Sequence, residues 1–156
     1  MNWLFADEGK TDGTFLDPYV TLRFGSPFQL TIGGGFGRDH NDSQFFENFT
    51  DTLTGVTHYS FAHLDYQETS ISARVNYTMT PNLTLELYAR PFRATEVYSN
   101  FREVSATPGA DDYDARFQAY TPPPSKPTTV KSADLFSNSV VRWEFRPGST
   151  LFVVWQ

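Results

Sequence analysis

The chain has no cysteine among its 156 residues. That excludes disulfides, thiolate metal sites and a cysteine nucleophile. It also lacks any run of eighteen apolar residues, so no transmembrane helix is expected. Basic clusters are missing too. Twelve Lys and Arg stand against 18 Asp and Glu, and the net charge of -6 argues against a nucleic-acid partner. The opening stretch, MNWLFADEGK, has neither the basic start nor the apolar run of a signal peptide.

What the chain does have is aromatic residues, at 17%, and period-two alternation. In TSISARVNYTMT, Ile71, Ala73, Val75, Tyr77 and Met79 alternate with Ser70, Ser72, Arg74, Asn76 and Thr78. After Pro81-Asn82, Leu83, Leu85, Leu87 and Ala89 alternate with Thr84, Glu86, Tyr88 and Arg90. This pattern predicts a β-hairpin with one apolar and one polar face. Each strand has about ten residues, the length a tilted strand needs to cross a bilayer.

Directly paired residues share a face, so the odd-numbered apolar positions on both strands demand an odd number of loop residues. A two-residue loop is excluded on this argument. Loops of 80–82 or 78–82 both place Arg74 and Glu86 on the polar face.

Further strands are predicted at 17–24, 28–37, 43–51, 58–65, 136–145 and 149–156, making about eight in all. Short turns are expected near 25–27, 52–56, 80–82 and 146–148, with loops at 38–42, 66–68 and 93–135. The first sixteen residues offer an apolar cluster at Trp3, Leu4 and Phe5 followed by a turn. The long segment 93–135 is acidic at Asp111, Asp112 and Asp114 and proline-rich at Pro122, Pro123, Pro124 and Pro127. In the last hairpin Val141, Trp143 and Phe145 share a face, as do Leu151, Val153 and Trp155. The fold class is therefore all-β, an antiparallel up-and-down meander forming a section of an outer-membrane β-barrel.

Catalytic and cofactor signatures are sparse. Gly33-Gly34-Gly35 lacks the following helix and partner residues of a phosphate loop, and reads as strand glycines allowing close packing. Of His40, His58 and His63, the last two lie five apart on one strand, on opposite faces, and cannot share a metal. The three aspartates lack the glycine and terminal glutamate of a calcium loop. The Asn-x-Ser/Thr tripeptides at Asn41, Asn48, Asn76 and Asn82 read as polar composition, the third being mid-strand. No catalytic, cofactor or metal residue is expected. The expected lumen-facing charges are Arg74, Glu86, Arg90, Arg142 and Glu144. Tyr98, Tyr113 and Tyr120 are the candidate glycan contacts.

The runs SISARVNYTMTPNLTLELYARPF, YSNFREV and FSNSVVRWEFRPGSTLFVVWQ carry a resemblance. They resemble the C-terminal barrel domain of unknown function that follows a carbohydrate-binding family 9-like module in Gram-negative envelope proteins. The similarity covers roughly residues 43–156. It implies an outer-membrane location, lipid contact and a glycan-binding module elsewhere in a larger chain whose export signal lies upstream. The leading expectation is a non-enzymatic barrel segment in glycan uptake or display. The alternatives are a soluble carbohydrate-binding β-sandwich, and the barrel part of a membrane-associated hydrolase with its active site elsewhere.

Overall fold

Strand structure continues through segments that look like loops in the sequence, and the strands are correspondingly long. The computed structural model describes residues 2–123 and 127–156. It contains β1 (Asn2–Ala6), β2 (Thr11–Leu16), β3 (Tyr19–Phe24), β4 (Phe28–Thr50), β5 (Thr57–Thr80), β6 (Leu83–Val104), β7 (Phe117–Ala119), β8 (Thr129–Arg146) and β9 (Ser149–Trp155). All nine form one antiparallel sheet in the order β1-β2-β4-β5-β6-β8-β9, with β3 also on β4 and β7 on β6. The meander is as expected, and the sheet is open. Among the described residues the only helical pieces are single 3-10 turns at Asp7–Gly9 and Asp114–Arg116.

Three expectations are corrected. Residues 38–42 and 66–68 are not loops but the middles of β4 and β5, which run for 23 and 24 residues. Strand pairing satisfies their backbone groups, and His40, Asp42 and Glu68 find side-chain partners on neighbouring strands, so polarity alone does not break a strand. The long loop is also shorter than predicted, because β6 continues to Val104 and β8 starts at Thr129. Within that loop, Pro124 lies outside the described residues. Finally, residues 2–16 form a hairpin, with Asn2 opposite Phe15 and Ala6 opposite Thr11. Its turn holds Asp7 and Glu8 at positive φ, and Thr11 Oγ1 donates to the Asp7 carboxylate at 2.6 Å.

With those loops gone, successive reversals at 25–27, 51–56, 81–82 and 147–148 are no longer all on one side. In a meander consecutive turns fall at alternate ends, so the turn at 51–56 lies at the opposite end from its neighbours at 25–27 and 81–82. Gly25 and Gly148 adopt positive φ in their turns, where a Cβ would be strained. Asn100 does so inside β6; asparagine tolerates the left-handed region, and a local irregularity results.

The chain divides into two compact units. Unit 1 comprises Met1–Phe15, Gly37–Gln67 and Ala94–Lys131; unit 2 comprises Leu16–Phe36, Glu68–Arg93 and Ser132–Gln156. The long strands contribute segments to both. The buried side chains belong almost entirely to unit 1, where Phe46, Ala62, Ala94, Tyr113, Asp42 and Arg102 are all under a tenth exposed.

Unit 2 has two unlike faces. Val20 opposes Ile32, Leu22 opposes Leu30 and Phe24 opposes Phe28; Phe28 in turn meets Tyr77 with ring centroids 5.9 Å apart. Trp143 opposes Leu151 and Val141 opposes Val153, as expected for the last hairpin. This apolar face is exposed, Ile71 at 62% and Val153 at 56%. Two of the three glycines pack closely: a Cβ on Gly33 would come within 2.8 Å of Ser72 Oγ and one on Gly35 would collide with Ser70 Oγ, whereas one on Gly34 would make only ordinary contact at 3.8 Å.

Candidate functional site

Two clusters of polar side chains stand out, one in each unit. In unit 2 the face opposite the apolar one encloses a cavity of about 490 Å³, lined by Gln29, Thr31, Gly33, Ser72, Arg74, Asn76, Tyr88 and Arg90 among others. A neighbouring cavity of about 320 Å³ is lined by Arg74, Asn76, Glu86, Leu87, Tyr88, Asn138 and Val140. Arg74 lies over the Tyr88 ring, 5.3 Å from its centroid, and Arg90 forms an ion pair with Glu68. Arg142 and Glu144 pair along β8 at 3.6 Å.

The even-numbered side chains Arg74 and Asn76 of β5 and Glu86 and Tyr88 of β6 thus line one cavity. Only Pro81 and Asn82 lie between the ends of the two strands, where a loop of at least three residues was expected, and there the Asn82 N–H donates to Thr80 Oγ1 at 3.3 Å. On β9 the pattern changes. Phe152 and Val154, opposite Arg142 and Val140, are exposed, so β9 is apolar on both faces.

In unit 1 the charges are more tightly organised. Arg102 donates to the carbonyl of Asp42, to its carboxylate at 2.7 Å and to the Tyr113 hydroxyl at 3.3 Å. Asp42 accepts from His63 Nδ1 at 3.2 Å. His40 Nδ1 contacts the Asp65 carboxylate, and His63 Nε2 lies 3.6 Å from the same oxygen. His58 sits apart, donating to Glu103 at 2.7 Å, with its ring stacked on Tyr120 at 4.9 Å. That hydrogen bond, helped by one from Gln118, holds the Glu103 carboxyl below its ordinary range. Burial pushes the Asp39 carboxyl and the Tyr113 hydroxyl upward. The hydrogen bond to Asp114 raises Lys10.

The three tyrosines are placed differently from one another. Tyr98 packs on Phe46 with centroids 5.2 Å apart and donates to Glu96 at 2.9 Å. Tyr120 is half-buried against His58. Tyr113 is only 3% exposed, its surroundings occupied by Lys10, Arg102, Arg116 and Phe117, so it offers a ligand no ring face.

Sequence reasoning considered only the pair His58 and His63, which do lie in separate clusters. It missed that His40 stacks on His63, centroids 5.8 Å apart. No local pattern in the all-polar stretch 38–42 signals it; the pair arises because β4 runs beside β5.

The family described as Domain of unknown function (DUF5916) matches residues 1–156. No curated protein and no solved structure matches the chain. The chain belongs to the DUF5916 family.

Proposed function

We propose that this DUF5916 domain is a non-enzymatic section of an outer-membrane β-barrel, with the strand segments of unit 2 crossing the lipid. One observation carries the reading: unit 2 exposes a largely apolar face and lines cavities with the opposite face, which carries Arg74, Glu86 and Arg90. Leu22, Ile32, Ile71, Leu87, Trp143 and Val153 are each more than a third exposed on the apolar side. A continuous patch of this kind is far beyond what a soluble monomer shows to water.

The apolar stretches 28–36, 71–79 and 83–91 are each about nine residues long, roughly 30 Å when extended. Tilted, they match the apolar band about 25 Å tall of outer-membrane barrels. Phe24, Phe28 and Tyr77 touch at the end of these stretches, where an interfacial aromatic girdle belongs. Arg74, Glu86, Arg90, Arg142 and Glu144 would then face the lumen. The nine strands of the described residues lie in one sheet, and among those residues no second sheet covers the apolar face as in a sandwich.

Glycan uptake or display is the role this reading favours, with Tyr98 and Tyr120 as the remaining contact candidates. The test is recovery of the chain with and without detergent. It should sediment from detergent-free buffer and become monodisperse in micelles. A monodisperse monomer without detergent would replace this account with a soluble module.

A further inference from the structure

His63 presents an unusual pair of environments to its two ring nitrogens. Nδ1 lies 3.2 Å from the Asp42 carboxylate. Nε2 faces a second carboxylate, Asp65 Oδ1, at 3.6 Å, too far for a direct hydrogen bond and near the spacing of two ligands on one ion. His40 Nδ1 reaches the same Asp65 oxygen from the adjacent strand. The three ligand atoms lie within 4.8 Å of one another.

We propose that His40, His63 and Asp65 bind a divalent transition-metal ion, zinc by ligand type. Two imidazoles and a carboxylate suit zinc, and three protein ligands leave one coordination position open. Bonds of about 2.0–2.1 Å put tetrahedral ligand atoms roughly 3.3 Å apart, close to the His63–Asp65 separation, whereas His40 Nδ1 touches the Asp65 oxygen directly, so the carboxylate must turn away from His40 to admit the ion. The strands supply the arrangement. His63 and Asp65 are two apart on β5 and share a face, while His40 enters from β4. Asp65 is 45% exposed at its side chain, which leaves an entry path and room for the carboxylate to turn.

The surroundings match those of a histidine ligand. Such a ligand donates its other ring N–H to a carboxylate that is itself held in place. Asp42 does this for His63, and Arg102 fixes the second Asp42 oxygen at 2.7 Å. Asp42 and Arg102 are therefore positioning residues.

Zinc would be titrated calorimetrically into the full chain folded in detergent micelles, or in buffer should it prove soluble, so the result does not depend on the membrane reading. Cobalt absorption would report the coordination. The expected result is one equivalent bound, lost in His40→Gln and in Asp65→Asn and unchanged in His58→Gln. Asp42→Asn, which keeps all three ligands, should weaken binding about 10–100-fold. Because Asp42 is buried and its variant may not fold, the half-buried His40 carries the decision. Zinc should raise the unfolding temperature of the parent but not of His40→Gln. The proposal is overturned if the parent binds no zinc, as a proton bridging the pair would require. It is equally overturned if His40→Gln binds like the parent, or if His58→Gln loses as much as it does.

Discussion

Arg102 of β6 reaches over β5 to Asp42 of β4, Nη2 to Oδ2 at 2.7 Å, with the two side chains only 9% and 10% exposed. The guanidinium also lies 4.3 Å from the Phe117 ring centroid, so one cation ties three strands and the long loop together. Removing one member of such a pair strands the other charge in a poorly solvated place. Arg102→Met should therefore cost about 3–5 kcal/mol of folding stability. The double variant Arg102→Met, Asp42→Leu should recover much of that loss. Denaturant unfolding in micelles measures both, and additive losses would show that the pair acts independently.

Glu103 gives unit 1 a pH dependence of known sign. Its carboxyl is held below the ordinary 4.5 by the His58 hydrogen bond. The stabilisation is thus present above the unfolded value and is lost as pH falls through the lower folded one. Thermal unfolding of the parent and of Glu103→Gln should differ near neutrality and converge as the pH falls through the lowered folded value of Glu103. A difference that persists unchanged in acid would assign the effect to packing.

Gly33 tests the close approach of β4 to β5. A methyl there would stand 2.8 Å from Ser72 Oγ and 3.3 Å from the Pro18 carbonyl. Gly33→Ala should cost about 1–3 kcal/mol through overpacking, and Ser72→Ala in the same chain should return part of it. At Gly109, where nothing lies within 4 Å, alanine should be nearly neutral. Equal effects at the two positions would remove the packing argument.

Much of unit 2 was legible in the sequence, because a half-exposed strand writes its two environments into alternating residues. Ile71 to Met79 and Val141 to Phe145 show this directly, and parity alone put Arg74 and Glu86 on one face. Unit 1 was harder to read. Residues 38–42, RDHND, carry loop chemistry, yet they are strand, with His40 and Asp42 paired to partners far along the chain. The Arg102–Asp42 pair is 60 residues apart, and no local pattern announces it. Tyr113 shows the converse case. Its neighbours on the acidic loop suggest exposure, but arginine and lysine close over its ring.

The claim that unit 2 meets lipid on one face and water on the other is tested most directly by spin labelling. The chain's lack of cysteine makes single sites clean. Ile71→Cys and Asn76→Cys, each spin-labelled and reconstituted in vesicles, would be compared for collision with oxygen and with a water-soluble nickel complex. The account predicts that the label at position 71 is reached by oxygen and shielded from nickel, and that the label at 76 is reached by nickel. Nickel access at both positions alike would contradict it.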